Sequence, residues 1–161
     1  MSEKMREILF RGKRCDNDAW VEGAFCMKDS ESPFGEMVDR PSIIKYDPPF
    51  DGFWFRVYPE TVGQFTGLPD KNGKMIFDGD ILEYRSDVIS LGSGYKTGAV
   101  EVSRRVVEWG EYGWIYKEIY NNRWTSSWNN YGRKDHLYKK NVLEFATVIG
   151  NIHDNPELLE G

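Results

Sequence analysis

Four oxygen-bearing side chains, Asp70, Asn72, Asp78 and Asp80, lie close enough together to suggest a calcium loop. A helix–loop–helix calcium site needs glycine at its sixth position and a bidentate glutamate at its twelfth. Counting from Asp70, those positions hold Met75 and Ile81, so no metal is expected. The two histidines lead no further. His136 sits in the charged run Arg133-Lys134-Asp135-His136, and His153 stands beside Asp154. Neither has a sequence link to a Cys or Ser nucleophile, although a triad assembled in space would leave no such trace. No Walker-type phosphate loop and no dinucleotide fingerprint occur. The chain is therefore expected not to be an enzyme, with no catalytic residue and no cofactor.

What remains is a region where aromatic and basic side chains interleave. Trp114, Tyr116, Tyr120, Trp124, Trp128 and Tyr131 lie near Arg123, Arg133, Lys134, Lys139 and Lys140. Aromatic rings can stack bases while cations hold phosphates, at about 1–3 kcal/mol per stacked base. The same residues suit a second reading. Trp114 and Tyr116 would be core, while Trp124 and Trp128 would cover a barrel end or meet another subunit. The formal charge of -5 weighs against nucleic acid, whose binding rests on phosphate neutralisation. Protein partners, the first of them a second copy of the chain, are the leading expectation. A single-stranded nucleic-acid-binding module is the alternative.

These residues must be positioned by a chain of 161 residues, long enough for one domain with a real core. Its 40% hydrophobic and 29% charged content suits a soluble globular protein, and its 15% aromatic content favours strands and interfaces. Sixteen Gly and seven Pro, spread along the chain, imply many turns. No apolar run of about 18 residues offers a membrane span. Residues 1–14 lack the apolar core of a secretion signal, so a cytoplasmic location is expected. Cys15 and Cys26 fit as free thiols. In a hairpin over residues 7–26 that turns near Asn17, Cys15 pairs near Trp20 rather than Cys26.

Alternation predicts strands over residues 8–13 and 20–27, joined by the turn Asp16-Asn17-Asp18. Residues 28–52 carry Pro33, Pro41, Pro48 and Pro49, and read as a long irregular excursion with one short strand at 42–46. A strand over 53–58 follows. Asn72-Gly73 and Asp78-Gly79 are turns needing positive backbone angles. Strands are then expected at 81–84, 100–109 and 114–120, with a loop at 86–97. In the third, Trp114, Tyr116 and Tyr120 share one face by parity. Residues 121–140 read as a polar loop and 143–152 as the last strand. Asn155 before Pro156 marks a short terminal helical turn. The sum is an all-β protein with minor helix, and its strand order suits a small SH3-like barrel. An N-terminal hairpin and excursion would occupy residues 1–60 and a barrel region residues 61–161, unless the two form one continuous domain.

Three blocks resemble the YopX family of phage and prophage proteins. The first is Arg6-Glu7-Ile8-Leu9-Phe10-Arg11-Gly12-Lys13-Arg14, followed by Trp20-Val21-Glu22-Gly23. The second runs from Pro59-Glu60-Thr61 to Gly79-Asp80-Ile81, and the third from Val148-Ile149-Gly150-Asn151 to Leu159. The resemblance implies a phage or prophage origin and an SH3-like barrel component, without an established reaction. It marks Thr61, Gly63, Gln64, Gly67, Asp70, Gly73, Gly79, Asp80, Gly150, Asn151, Asn155 and Pro156 as family-motif residues. Their chemistry reads as structural: glycines for turns, and Asp70, Asp78 and Asp80 as acceptors for backbone amides.

Overall fold

The computed structural model describes residues 7–31, 34–35, 37–47, 50–90, 92–122, 134–137 and 139–160. Two compact units divide the chain, Met1–Gly67 and Leu68–Gly161.

In the first unit, Asn17 Oδ1 accepts the Ala19 amide at 3.1 Å, and Asp18 takes a left-handed backbone (φ 58°). This turn joins β1 (Phe10–Lys13) to β2 (Trp20–Glu31), and Lys13 pairs Trp20. Next come β3 (Met37–Asp47), β4 (Phe50–Arg56) and the opening of β5 (Gly63–Pro69). The order is β4-β3-β2-β1-β5, and the registered pairs are antiparallel. Val21, Ile43 and Val57 form the buried core, with Phe10, Phe55 and Val62 packed against it. Thr61 ties the strands to the 3₁₀ turn Pro59–Thr61: its Oγ1 accepts the Lys13 amide at 2.9 Å and donates to Tyr58 O at 2.7 Å.

Residues 28–52, expected as an irregular excursion, are mostly strand. The β2–β3 ladder runs from Ala24↔Ile44 to Glu31↔Met37. Pro41 is compatible with it for a local reason. The Pro41 carbonyl accepts the Val57 amide at 3.1 Å, and the two backbone groups of a strand residue point to the same side. The missing N–H therefore faces the side where β4 has already ended, at Arg56, and costs no ladder bond. Cys15 and Cys26 are both free thiols.

The second unit begins with the turn after β5. Asp70 Oδ1 accepts the amides of Asn72 (2.8 Å) and Lys74 (3.0 Å), and Gly73 supplies the positive φ of 85°. Then follow β6 (Met75–Phe77), β7 (Asp80–Ile89), β8 (Lys96–Gly110), β9 (Gly113–Asn121), β10 (Lys134–His136), α1 (Lys139–Phe145), β11 (Ala146–Asn151) and a 3₁₀ turn at Pro156–Leu159. Five strands form an antiparallel sheet in the order β10-β9-β8-β7-β11. Its two faces carry separate cores. Leu82, Val107, Val148 and Ala146 pack with Ile76 and Val142 on one side. Ile81, Val106 and Ile119 lie on the other, with Ile152, Leu158 and Leu159 against them.

The class is all-β with minor helix, built from antiparallel sheets; the order from β10 to β11 does not close into a barrel among the described residues. Three local expectations change. The 86–97 loop is mostly hairpin, with Ile89 opposite Lys96. The last strand starts at Ala146, because Lys139–Phe145 is helical and puts Val142 four residues before Ala146, both fully buried. Finally, a bulge between Arg104 and Arg105 pairs Arg105 with Glu118 but Arg104 with Tyr120. The extra residue reverses the parity of β9, so Tyr120 stands on the face opposite Tyr116.

Candidate functional site

Of the nine aromatic and basic candidates, Arg123, Trp124, Trp128, Tyr131 and Arg133 lie outside the described residues. The other four are engaged inside the second unit. Trp114 packs on the Leu82–Val107 core and meets Trp109 edge to face, with ring centroids 4.9 Å apart. Its indole Nε1 is buried without a hydrogen-bond partner among the described residues. Lys134 Nζ pairs with Glu108 at 2.5 Å. Tyr116 and Tyr120 stack on different arginines.

Arg105 is the centre of that arrangement. Its guanidinium lies 4.2 Å from the Tyr84 ring and 4.3 Å from the Tyr116 ring. Glu118, buried beside it, approaches its Nε at 3.7 Å and also accepts from Asn121 Nδ2 at 3.2 Å. Burial pushes the Tyr84 phenol up to about 12, against the downward pull of Arg105. On the opposite face Arg104 lies over Tyr120 at 5.1 Å, and Glu83 bridges Arg85 (2.7 Å) and Arg104 (3.3 Å). Burial raises the Glu83 pKa, but bonding to these two arginines outweighs it and holds the carboxyl low. Beside Tyr84 and Arg105, a cavity of about 240 Å³ is bounded by Ser103, Glu101, Asn141 and Phe145. Sequence reasoning missed Tyr84, Arg105 and Glu118. The available signal was a charged pair, Arg104-Arg105, inside a valine-rich strand.

The first unit presents a more open surface. Directly paired strand residues point to the same face, so the register separates two faces of β2–β4. One carries Phe25, Met27, Ile43, Phe53 and Phe55. Phe25, Met27 and Phe53 are 37%, 54% and 49% exposed, and Phe10 abuts Phe25 at 5.6 Å. Asp29 and Asp39 stand opposite each other at one end of this face, and Lys45 stands at the other. The protonated Asp39 carboxyl can donate a hydrogen bond to Asp29, and this, reinforced by the Asp29 charge, raises the Asp39 pKa. The reverse face carries Lys28, Arg40, Trp54 and Arg56. None of these residues was singled out from the sequence.

The family-motif residues lie at turns and strand ends. Gln64 pairs Phe10 and Gly63 pairs Arg11; Gly67, Gly73 and Gly79 have φ of 84°, 85° and 79°. Asp80 Oδ2 accepts the Phe77 amide at 2.8 Å. Asn151 Oδ1 accepts the amides of His153 (2.9 Å) and Asp154 (3.0 Å), while its Nδ2 donates to Asp154 Oδ2 at 3.0 Å. Asn155 Oδ1 accepts the Asn151 amide at 3.3 Å, and Pro156 opens the last 3₁₀ turn. A Cβ on Gly150 would fall 2.3 Å from that Asn155 oxygen. Among the described residues no group of three or more His, Cys, Asp or Glu is placed to hold a metal ion, and no helix is long and apolar enough to cross a membrane.

A family model described as YopX protein matches residues 9–160. Among solved structures the chain is similar to protein EF1440 from Enterococcus faecalis, at 23% sequence identity and a TM-score of 0.47. That likeness covers 96% of this chain and 99% of the other. No curated protein matches.

Proposed function

The chain belongs to the YopX family, and on that footing we propose a phage or prophage accessory protein that acts without catalysis, through protein–protein contacts. The first such contact is with a second copy of itself, through the apolar face of β2–β4. The observation that carries this reading is the open patch of Phe25, Met27 and Phe53, continuous with the buried Ile43. Contiguous apolar surface of this kind marks interaction sites. Charge at the ends of the patch favours a second copy as the occupant. Asp29 and Asp39 sit at one end and Lys45 at the other, six residues from Asp39 along β3, or about 20 Å at the strand repeat. A two-fold axis in the plane of contact and across the strands lays the acidic end of one copy on the Lys45 end of the other. The repulsion between Asp29 and Asp39 is relieved in the same step.

Sedimentation equilibrium at tens of micromolar tests this. A dimer is expected, with Phe25→Glu and Phe53→Glu each shifting the protein to monomer while circular dichroism stays unchanged. A monodisperse wild-type monomer overturns the self-association reading.

A further inference from the structure

The reverse face of the same three strands has different chemistry. Cys26, Ser42 and Arg56 form one cross-strand row, with Ala24, Ile44 and Trp54 on one side of it and Lys28 and Arg40 on the other. Three cations thus stand to one side of a single tryptophan. Trp54 is 47% exposed, Lys28 and Arg56 are exposed, and Arg40 is half-buried. The Lys28 ammonium lies 4.5 Å from the centre of the Trp54 ring. Strand parity sends Asp29, Asp39 and Lys45 to the apolar face. Of the acids in β2–β4 whose side chains are described, Glu22 shares the Trp54 face. It stands opposite Arg11 on β1, six residues from Lys28 along β2, or about 20 Å. Asp16 borders a hollow with Trp54 and Arg56, but its carboxylate is paired with Arg14. Among these side chains the Lys28–Arg40–Arg56 end of the face is therefore cationic, although the formal charge of the chain is -5.

We propose that a single-stranded polynucleotide binds across this face, with a base stacked on Trp54 and phosphates on Lys28, Arg40 and Arg56. Successive side chains on one strand face are about 6.6 Å apart and neighbouring strands about 4.8 Å apart. The cations therefore form an area that a flexible backbone can follow, not a point site. An exposed ring selects a ligand with a free π-face. A duplex has its bases stacked away inside, and an acidic peptide offers charge without rings. The Lys28 ammonium is already on Trp54 and can stay near the base edge or move to a phosphate. This binding does not depend on self-association, because the two surfaces lie on opposite faces of one sheet.

The test is fluorescence anisotropy with labelled single-stranded DNA and RNA oligonucleotides of mixed sequence, with duplex DNA and heparin as competitors. Neutralising three phosphates predicts a slope of about -2 for log affinity against log salt. Trp54→Ala is expected to weaken binding roughly 5- to 150-fold, the range of one stacked base, and Trp54→Phe to retain most of it. Lys28→Ala with Arg56→Ala is expected to flatten the slope to about -0.7. The three substituted positions all carry exposed side chains, and circular dichroism checks that each variant folds. Preference for DNA or for RNA supports the proposal and identifies the ligand. It is overturned by absence of binding at about 50 mM salt, by binding that Trp54→Ala leaves unchanged, or by duplex or heparin competing as well as single strands.

Discussion

Asp70 Oδ2 accepts the backbone amide of Val148 at 3.0 Å, a bond between positions 78 apart in sequence. The other oxygen of the same carboxylate holds the Asn72 and Lys74 amides. One side chain, 3% exposed, thus closes its own turn and fastens it to β11.

Replacing Asp70 by Ala strands three amide donors where little water reaches. The expected loss is about 3 kcal/mol, since an unmade bond to a charged acceptor costs about 1.5–3 kcal/mol and part of the turn can relax. Asp70→Asn keeps one carbonyl acceptor and should lose about half as much. Urea denaturation at neutral pH measures both. The pH dependence separates them further. Burial raises the Asp70 pKa, but the Val148, Lys74 and Asn72 amides outweigh it and hold the carboxyl below its ordinary value. A depressed carboxylate stabilises the fold above the unfolded pKa of about 3.9, and that contribution disappears as pH falls through the native value. The Asp70→Asn variant should lose this part of the acid limb while the wild type retains it.

Arg105 and Tyr84 make a prediction at the alkaline end. The Tyr84 pKa is raised to about 12, by burial first, with Arg105 opposing. A phenol whose native pKa exceeds its unfolded value of about 10 contributes stability below pH 10 that is lost between 10 and 12. Arg105→Met removes the opposing cation while filling the space between the rings. Its Tyr84 should ionise at higher pH than in the wild type, seen as one phenol titrating later in ultraviolet difference spectra. The variant should also be less stable near neutral pH, because Glu118 remains buried after losing its cation.

How much of this was legible follows from how far apart the partners are. The Asn17 turn, the Asn72-Gly73 turn and the Asp70 acceptor role depend on neighbours within a few residues, and each is readable from residue type. The Asp70–Val148 bond is not, because nothing local specifies its distant donor. A short strand was legible at 42–46, but the earlier part of β3 was obscured by Pro41, whose tolerance depends on where β4 stops. The α1 helix was hidden because seven residues are too few for a periodic pattern. Parity in β9 failed at a bulge, which moved Tyr120 away from Tyr116. The Arg105 stack draws on three strands and had no single-strand signature. The exposed faces of β2–β4 became visible only with the register, since a one-residue shift would exchange them.

Gly79 and Gly73 share a left-handed backbone but not a neighbourhood. Gly79 has φ 79°, and a Cβ there would lie 3.3 Å from the Ile152 side chain; at Gly73, φ 85°, nothing lies within 4 Å. Gly73→Ala should therefore cost only the conformational penalty, about 1 kcal/mol. Gly79→Ala should cost that plus the displacement of Ile152, about 2 kcal/mol in all. Ile152→Val should reduce the excess at position 79 and leave position 73 unchanged. Chemical denaturation of Gly73→Ala and Gly79→Ala, each in the wild-type and the Ile152→Val background, measures the difference, and equal costs at both glycines would contradict the contact.

The two ends of the β2–β4 apolar face allow a charge-exchange experiment that a nonspecific hydrophobic contact would fail. In a two-fold pair Lys45 of each copy faces Asp29 and Asp39 of the other, so each single change acts twice. Lys45→Asp should weaken association severalfold at low salt and less at high salt, because exposed pairs are screened. Combining it with Asp29→Lys and Asp39→Lys exchanges the ends and should restore association. The pH dependence has a fixed sign. Asp39 titrates above its ordinary value because Asp29 accepts a hydrogen bond from its protonated form and repels its ionised form. A lysine arriving from a second copy lowers that value, so association releases protons and strengthens as pH rises through the Asp39 pKa. With Asp39→Asn the repulsion from Asp29 is gone and this pH dependence should flatten. Sedimentation equilibrium across an acid pH series reads both effects. Association that ignores the exchange and the pH would place the contact elsewhere on the molecule.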